Sequence, residues 1–396
     1  PLPRGATGVG LALARQVAEQ VVRRVVPAER LPVLDGDRRV FGEELLQVCT
    51  AGEVYVWLGE PELALLCTLR GLNLEEALGA RHDSSFPAAL AFLLAYTPLS
   101  DLGRRYLEWA APRVQAGTRS EMDFLRVRAM IELSVGRWRE GAASADRASA
   151  CARALKDDVS LVRALLASQV AFAGLDDWRR MREVCEEMER LSVQTENPRY
   201  RALALLGRGS SYFICGEIEP AEALLAEVRE SLPVELGPVP EALAMAITAV
   251  CMLRRGATDR AIELARAAAA VARRSRWELT EMRIVYANVL EVLLDERTSQ
   301  IRAPEVDWAL RGMRRLARRS PFVAADAHLK QGRYHFRRDE PALAARCFRA
   351  SLRAAQEWEC RSERARAHRW LARAPKRSED RHQGAARELR TGNELQ

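Results

Sequence analysis

The sequence predicts an all-α fold, a superhelical solenoid of about eight helical hairpins, and three observations carry that expectation. Ala, Leu, Arg and Glu dominate the 396 residues, aromatics make up only 6%, and Val and Ile rarely alternate with polar residues as strands require. A small or apolar residue suited to a helix-helix contact recurs about every 40 residues. A turn former stands at a fixed offset before most of these contact residues.

The repeat is clearest in two blocks, GEVYVWLGEPELALLCTLRGL from Gly52 and GSSYFICGEIEPAEALLAEVRE from Gly209. In both, Gly-x-x-Tyr (Gly52/Tyr55, Gly209/Tyr212) precedes a turn Gly (Gly59, Gly216), and Ala follows five residues later (Ala64, Ala221). A small residue in the first helix admits the second closely, Tyr fills the space beside it, and Gly takes the positive φ of a tight turn. The contact residues fall at Ala64, Gly103, Gly141, Met181, Ala221, Ala261, Ala309 and Ala344, in steps of 39, 38, 40, 40, 40, 48 and 35. Turn residues keep pace at Pro98, Gly136, Asp176, Gly216, Gly256 and Asp339. The long step holds a polar insertion, about 297–307, which is expected to be a loop around Pro304.

These blocks resemble the tetratricopeptide repeat, with longer units than usual. Over nearly the whole chain, VYVWLGEPELALLCTLRGLNLEEALG, LARRSPFVAADAHLKQGRYHF and ALAARCFRASLRAAQEWE resemble the C-terminal repeat region of large bacterial multidomain signalling proteins. Those proteins place a regulatory ATPase module before the repeats, often with an adenylate or guanylate cyclase or a Ser/Thr kinase domain further upstream. The resemblance implies a regulatory, protein-binding part of such a protein, with any ATPase, cyclase or kinase chemistry outside these residues. With Pro rather than Met at position 1, the sequence is expected to be a trimmed or partial piece of something longer.

Three regions follow: an N-terminal helix and linker over 1–40, the helical repeats over 41–374, and a basic, polar, disordered tail over 375–396. The last repeat is expected to end in a capping helix near Ser362–Ala374, since an array needs a polar outer face. Net charge is +7, and the residues from Arg361 onward hold ten Lys or Arg against five Asp or Glu. No apolar run reaches the roughly 20 residues of a membrane span. The eight cysteines stand singly, without a CxxC pair, and read as reduced core residues of a cytoplasmic protein.

A search for chemistry returns nothing that organises a reaction. Gly5-Ala6-Thr7-Gly8-Val9-Gly10 follows no strand, and none of the three lysines (Lys156, Lys330, Lys376) stands behind a phosphate-binding loop. His328 and His335 share a helix face but have no carboxylate or thiolate at ligand spacing, so no metal site is expected. Neither catalytic residues nor cofactors are expected, and the chain is expected not to be an enzyme. Arg311, Arg314, Arg315, Arg318 and Arg319 line one side of a helix. No aromatics interleave with them, and nucleic acid is not the expected partner.

Stacked hairpins present their first helices to a concave groove in which extended or helical segments lie. The periodicity puts Trp57, Arg126, Phe213, Arg254, Arg333, Phe336 and Arg337 on that face. Its arginines suit an acidic peptide or protein segment, or a domain of the same parent protein. The expected function is a non-catalytic interaction scaffold, and the resemblance implies that it is a regulatory part of a bacterial signal-transduction protein. The alternatives are the C-terminal region of an ATP-binding cyclase or kinase, and the repeat region of an ATP-dependent transcription activator. The latter calls for a helix-turn-helix, and the residues after Pro375 have too few apolar positions to build one.

Overall fold

The computed structural model describes residues 3, 5–26, 44–45, 47–48, 51–52, 54–55, 58, 60–77, 85–95, 99–231, 237–275, 281–298 and 304–373. Trp57, residues 299–303 of the insertion, the boundaries at 40 and 374, and the tail 375–396 lie outside them. No strand occurs among the described residues. The helices are α1 (Gly5–Val25), α2 (Pro61–Ala77), α3 (Ser85–Ala95), α4 (Ser100–Ala110), α5 (Arg119–Ser134) and α6 (Trp138–Leu155). Next come α7 (Asp158–Gly174), α8 (Trp178–Gln194), α9 (Pro198–Cys215), α10 (Ile218–Ser231), α11 (Pro238–Arg254) and α12 (Thr258–Ala272). Last are α13 (Met282–Leu293), α14 (Pro304–Arg319), α15 (Val323–Arg337), α16 (Pro341–Glu357) and α17 (361–373). None of the described helices is long and apolar enough to cross a membrane.

Two compact units divide the chain. The first is Pro1–Ala244 with Val271–Leu279; the second is Met245–Ala270 with Thr280–Gln396. In the first, each helix from α3 to α10 packs on the next, and α3 also meets α5, α5 meets α7, and α7 meets α9. In the second, α13 to α16 pack in succession and α13 meets α15. Contacts between neighbours in sequence and between a helix and its counterpart in the next hairpin are the pattern of a helical repeat.

The turns have a regularity finer than the repeat. Positive φ occurs at Gly136, Lys156, Asp176, Glu196 and Gly216, at Gly256, and again at Asp339 and Glu359. Neighbours within each run stand 20 residues apart, so each helix of these runs with its turn occupies half a repeat. The turns from Gly136 to Asp339 are each closed by a double bond pattern: Gly216 N–H donates to Phe213 at 3.1 Å and Glu217 N–H to Tyr212 at 2.9 Å. This satisfies the carbonyls that a helix end leaves over. At the other ends, Asp157 accepts from Ser160 N–H at 3.0 Å and Asp177 from Arg180 N–H at 3.1 Å, as N-caps do.

The contact residues all lie in second helices. Ala64, Gly103, Gly141, Met181, Ala221, Ala261 and Ala344 are each the fourth residue of their helix, and all are buried. Ala309 is the sixth residue of α14, whose start at Pro304 makes the end of the expected loop helical instead. Pro serves there as a first helical residue, where its missing N–H costs nothing. Close approach explains the small residues: a Cβ on Gly141 would lie 2.6 Å from Leu133, and one on Gly103 2.8 Å from the Ala91 carbonyl oxygen.

Helix α1 packs by its polar side. Gln20 donates to Asn73 of α2, Asn73 donates to Gln16 Oε1 at 2.8 Å, and Arg24 pairs with Glu76 at 2.7 Å and lies 4.5 Å from the Trp109 ring centre. Leu11, Val21 and Val25 on its other side are exposed. Cys67, Cys185 and Cys251 are buried as expected, whereas Cys215 is exposed at the end of α9.

Candidate functional site: a charged face on the first helices of the second unit

Three first helices of the second unit, α13, α15 and α17, bring eight charged side chains together. Glu281 and Arg283 stand at the start of α13 and Glu291 near its end; Asp326, Lys330 and Arg333 follow one another at helical spacing on α15; Glu363 and Arg366 lie one turn apart on α17. Lys330 is 1% exposed, and Asp326 and Arg333 are each 4% exposed. Charges this deep persist only when paired.

Glu291 is the centre. Its Oε2 accepts from Lys330 Nζ at 2.5 Å, Arg333 Nη1 at 2.5 Å and Arg366 Nη2 at 2.8 Å. Burial opposes its charge, but the three cations win and hold the carboxyl well below the usual carboxylate range. Lys330 has only that carboxylate and Asp326 against burial and two guanidiniums, so its amine is pushed down to about 8. Three cations on one carboxylate leave a local excess of positive charge.

The neighbouring end is acidic. Burial and the Asp326 carboxylate raise Glu363, against the opposing Arg283 guanidinium 3.9 Å away and Arg366. Burial also raises Glu281. Asp326 Oδ1, Glu281 Oε2 and Arg333 Nε are buried atoms with no hydrogen-bond partner among the described residues. The face thus runs from carboxylate-rich, around Glu281, Asp326 and Glu363, to cation-rich, around Lys330, Arg333 and Arg366. It can hold a complementary set of charges. Among the described residues no group of His, Cys, Asp and Glu is arranged to hold a metal ion.

Of the residues that the periodicity assigns to a groove, Arg333 lies in this cluster. Arg337, one turn on, donates to the Thr298 carbonyl. Phe336, on the same helix, is 5% exposed and packs with Phe348 and Trp370 in the core. Arg126 of α5, 3.7 Å from Asp123, and Phe213 of α9, 8% exposed, belong to the first unit. Arg254 is exposed at the end of α11, and Trp57 lies outside the described residues. Sequence reasoning missed Glu291, Asp326, Lys330, Glu363 and Arg366. It also missed Trp370, whose ring centre is 5.3 Å from the Arg333 guanidinium. A row of charges at spacings of four and three in α15, a helix flanked by apolar residues, was the available signal.

No protein-family model and no curated protein sequence matches the chain. Solved structures do match in fold. The crystal structure of a Rap protein complexed with Competence and Sporulation Factor aligns with 86% of this chain and 98% of its own, at 12% identity and a TM-score of 0.57. The apo form of RapI aligns with 70% of this chain and 98% of its own, at 12% identity and 0.52. A Signal Transduction ATPase with Numerous Domains from Pyrococcus horikoshii, which has a tetratricopeptide repeat sensor, aligns with 91% of this chain and 54% of its own, at 11% identity and 0.51. With the all-helical 20-residue rhythm, these likenesses show a tetratricopeptide-like helical-repeat fold.

Proposed function

We propose that the chain is a non-catalytic scaffold that binds a protein or peptide segment along the first-helix face of its second unit, as the regulatory part of a bacterial signal-transduction protein. The observation that carries this reading is the convergence of Lys330, Arg333 and Arg366 on the single Oε2 of Glu291, beside the unpartnered Asp326 Oδ1. Glu291 and Arg366 are the part-exposed members of this preformed cluster, and a segment bearing carboxylates would share the Arg366 guanidinium. The Rap protein of similar fold was crystallised with Competence and Sporulation Factor, which lends support to a role in binding a partner.

A second reading places the chain after the ATPase module of a larger cyclase or kinase, and the likeness to an ATPase with a tetratricopeptide repeat sensor favours it. Both readings assign the repeats the same binding role. Peptides selected on the purified chain from a random display library, then titrated by fluorescence anisotropy, test it. Arg333→Glu/Arg337→Glu is expected to abolish most of the binding. Unchanged affinity in that variant would sink the site assignment.

A further inference from the structure

A second charged surface lies on the exposed sides of α14 and α16, two second helices that both pack on α15. On α14, Arg311, Arg314 and Arg318 are exposed, and on α16, Arg346, Arg349 and Arg353 are exposed. The two rows have identical spacing, and they occupy identical places in the repeat: two, five and nine residues after the contact residues Ala309 and Ala344. The earlier repeats serve as an internal comparison. The same three places hold Ala143, Asp146 and Ala150 in α6, Glu183, Glu186 and Arg190 in α8, Ala223, Ala226 and Glu230 in α10, and Glu263, Arg266 and Ala270 in α12. General enrichment in arginine does not explain six out of six in the last two repeats and mixed or acidic residues before them.

Among the described residues, nothing neutralises these rows. No Asp or Glu occurs in 308–319 of α14 or in 341–356 of α16. Among the described residues, no carboxylate pairs with Arg311, Arg318, Arg346, Arg349 or Arg353. The second unit as a whole carries 29 Lys and Arg against 18 Asp and Glu, a charge of +11, which leaves −4 for the first within the chain's +7.

We propose that these two arginine rows are a docking surface for an acidic protein segment, separate from the first-helix face. Charge complementarity names the chemistry, and the boundaries of the rows name the class. Each row runs over eight residues, about 10 Å of helix, and carboxylates limit it: Glu305 and Asp307 open α14, while Glu340 and Glu357 bracket α16. A short acidic segment fits between such limits, and its carboxylates take guanidinium forks in bidentate pairs. A running phosphate backbone would meet repulsion at the very helix N-termini where phosphates otherwise bind. No aromatic side chain stands among the arginines to stack a base.

Fluorescence anisotropy with an oligoglutamate peptide about ten residues long, enough to cross both rows at roughly 3.3 Å per residue, tests the proposal on the full chain. A duplex DNA of matching charge runs in parallel. The peptide is expected to bind in low salt and to weaken steeply toward about 0.15 M. Arg311→Gln/Arg314→Gln/Arg318→Gln and Arg346→Gln/Arg349→Gln/Arg353→Gln should each lower affinity about tenfold. Arg105→Gln/Arg139→Gln/Arg179→Gln, an equal charge change in the first unit, should leave it within about twofold. Circular dichroism confirms folding, and single Arg→Gln changes replace any triple variant that fails it. Tighter binding of the duplex, or equal losses from the first-unit control, would overturn the inference. So would a peptide that fails to bind, or one indifferent to both rows. Failure of the first-helix face would leave these outcomes unaltered.

Discussion

Gly332 of α15 lies directly under the ring of Phe348 of α16: a Cβ there would stand 2.4 Å from Cε1. Phe348 is fully buried. Gly332→Ala is therefore expected to lower stability by about 1–3 kcal/mol, as overpacking does. At Gly209, the added Cβ would stand 3.1 Å from Leu225 Cγ and 3.5 Å from Leu224 Cβ, a much smaller overlap. Gly209→Ala should be neutral or slightly stabilising, because Ala is the better helix former by about 1 kcal/mol. Denaturant unfolding of both variants measures the contrast, and equal effects would refute the packing account.

Removing the hub of the charge cluster should cost more than removing a spoke. Glu291→Gln leaves Lys330, Arg333 and Arg366 without their shared carboxylate, and a loss of about 3 kcal/mol or more is expected. Lys330→Met keeps the volume and leaves Glu291 two arginines, so its effect should stay within about 1.5 kcal/mol. Urea midpoints at pH 7 rank the two, and a reversed order would show that Glu291 is not the anchor.

Lys330 also sets a pH signature. Its amine falls to about 8 in the fold from an ordinary 10.5, through burial and the neighbouring Arg366 and Arg333, against Glu291 and Asp326. Between those values the unfolded chain binds more protons than the folded one, so this group's contribution to stability rises with pH through that window. The stability of the native protein relative to Lys330→Met should increase from pH 8 to 10. Glu291 acts at the other end of the scale. Its depressed pKa adds stability that is present above the ordinary 4.5 and is lost as pH falls below it. A flat difference between the native protein and Lys330→Met across pH 8 to 10 would contradict the burial of that amine.

At Lys156, Glu196 and Glu359 the chain takes φ of 54°, 49° and 53° without a glycine. Left-handed backbone costs an ordinary residue about 1–2 kcal/mol, most of which glycine avoids. Each of Lys156→Gly, Glu196→Gly and Glu359→Gly is expected to stabilise by about 0.5–1 kcal/mol, and Gly216→Ala, at φ 85°, to destabilise by at least as much. Thermal melts of the four single variants check the sign.

These same turns mark how much of the fold was legible in the sequence. Gly136, Asp176, Gly216, Gly256 and Asp339 declare themselves because Gly and Asp tolerate positive φ, and they yield the 40-residue period. Lys156, Glu196 and Glu359 occupy the same conformation with no such preference, so the 20-residue rhythm stayed hidden. The candidate face was harder to read. Phe336 follows the groove register yet is buried, because a first helix is covered by its own partner and by the neighbouring hairpins, leaving a narrow open strip. Glu291, Lys330 and Arg366 are isolated charges in sequence, and only packing across 75 residues makes them one cluster.

The equal spacing of the turns also constrains how such a chain can change length. Excising 40 residues removes one hairpin and returns every remaining helix to a neighbour of the kind it had before. Excising 20 would set two helices of the same kind in succession, so that the buried fourth residue of one would face the stripe meant for solvent on the other. Growth and loss in this architecture are thus quantised in whole hairpins, and the two arginine-bearing second helices at Ala309 and Ala344 can be gained or lost only together with the first helices that precede them.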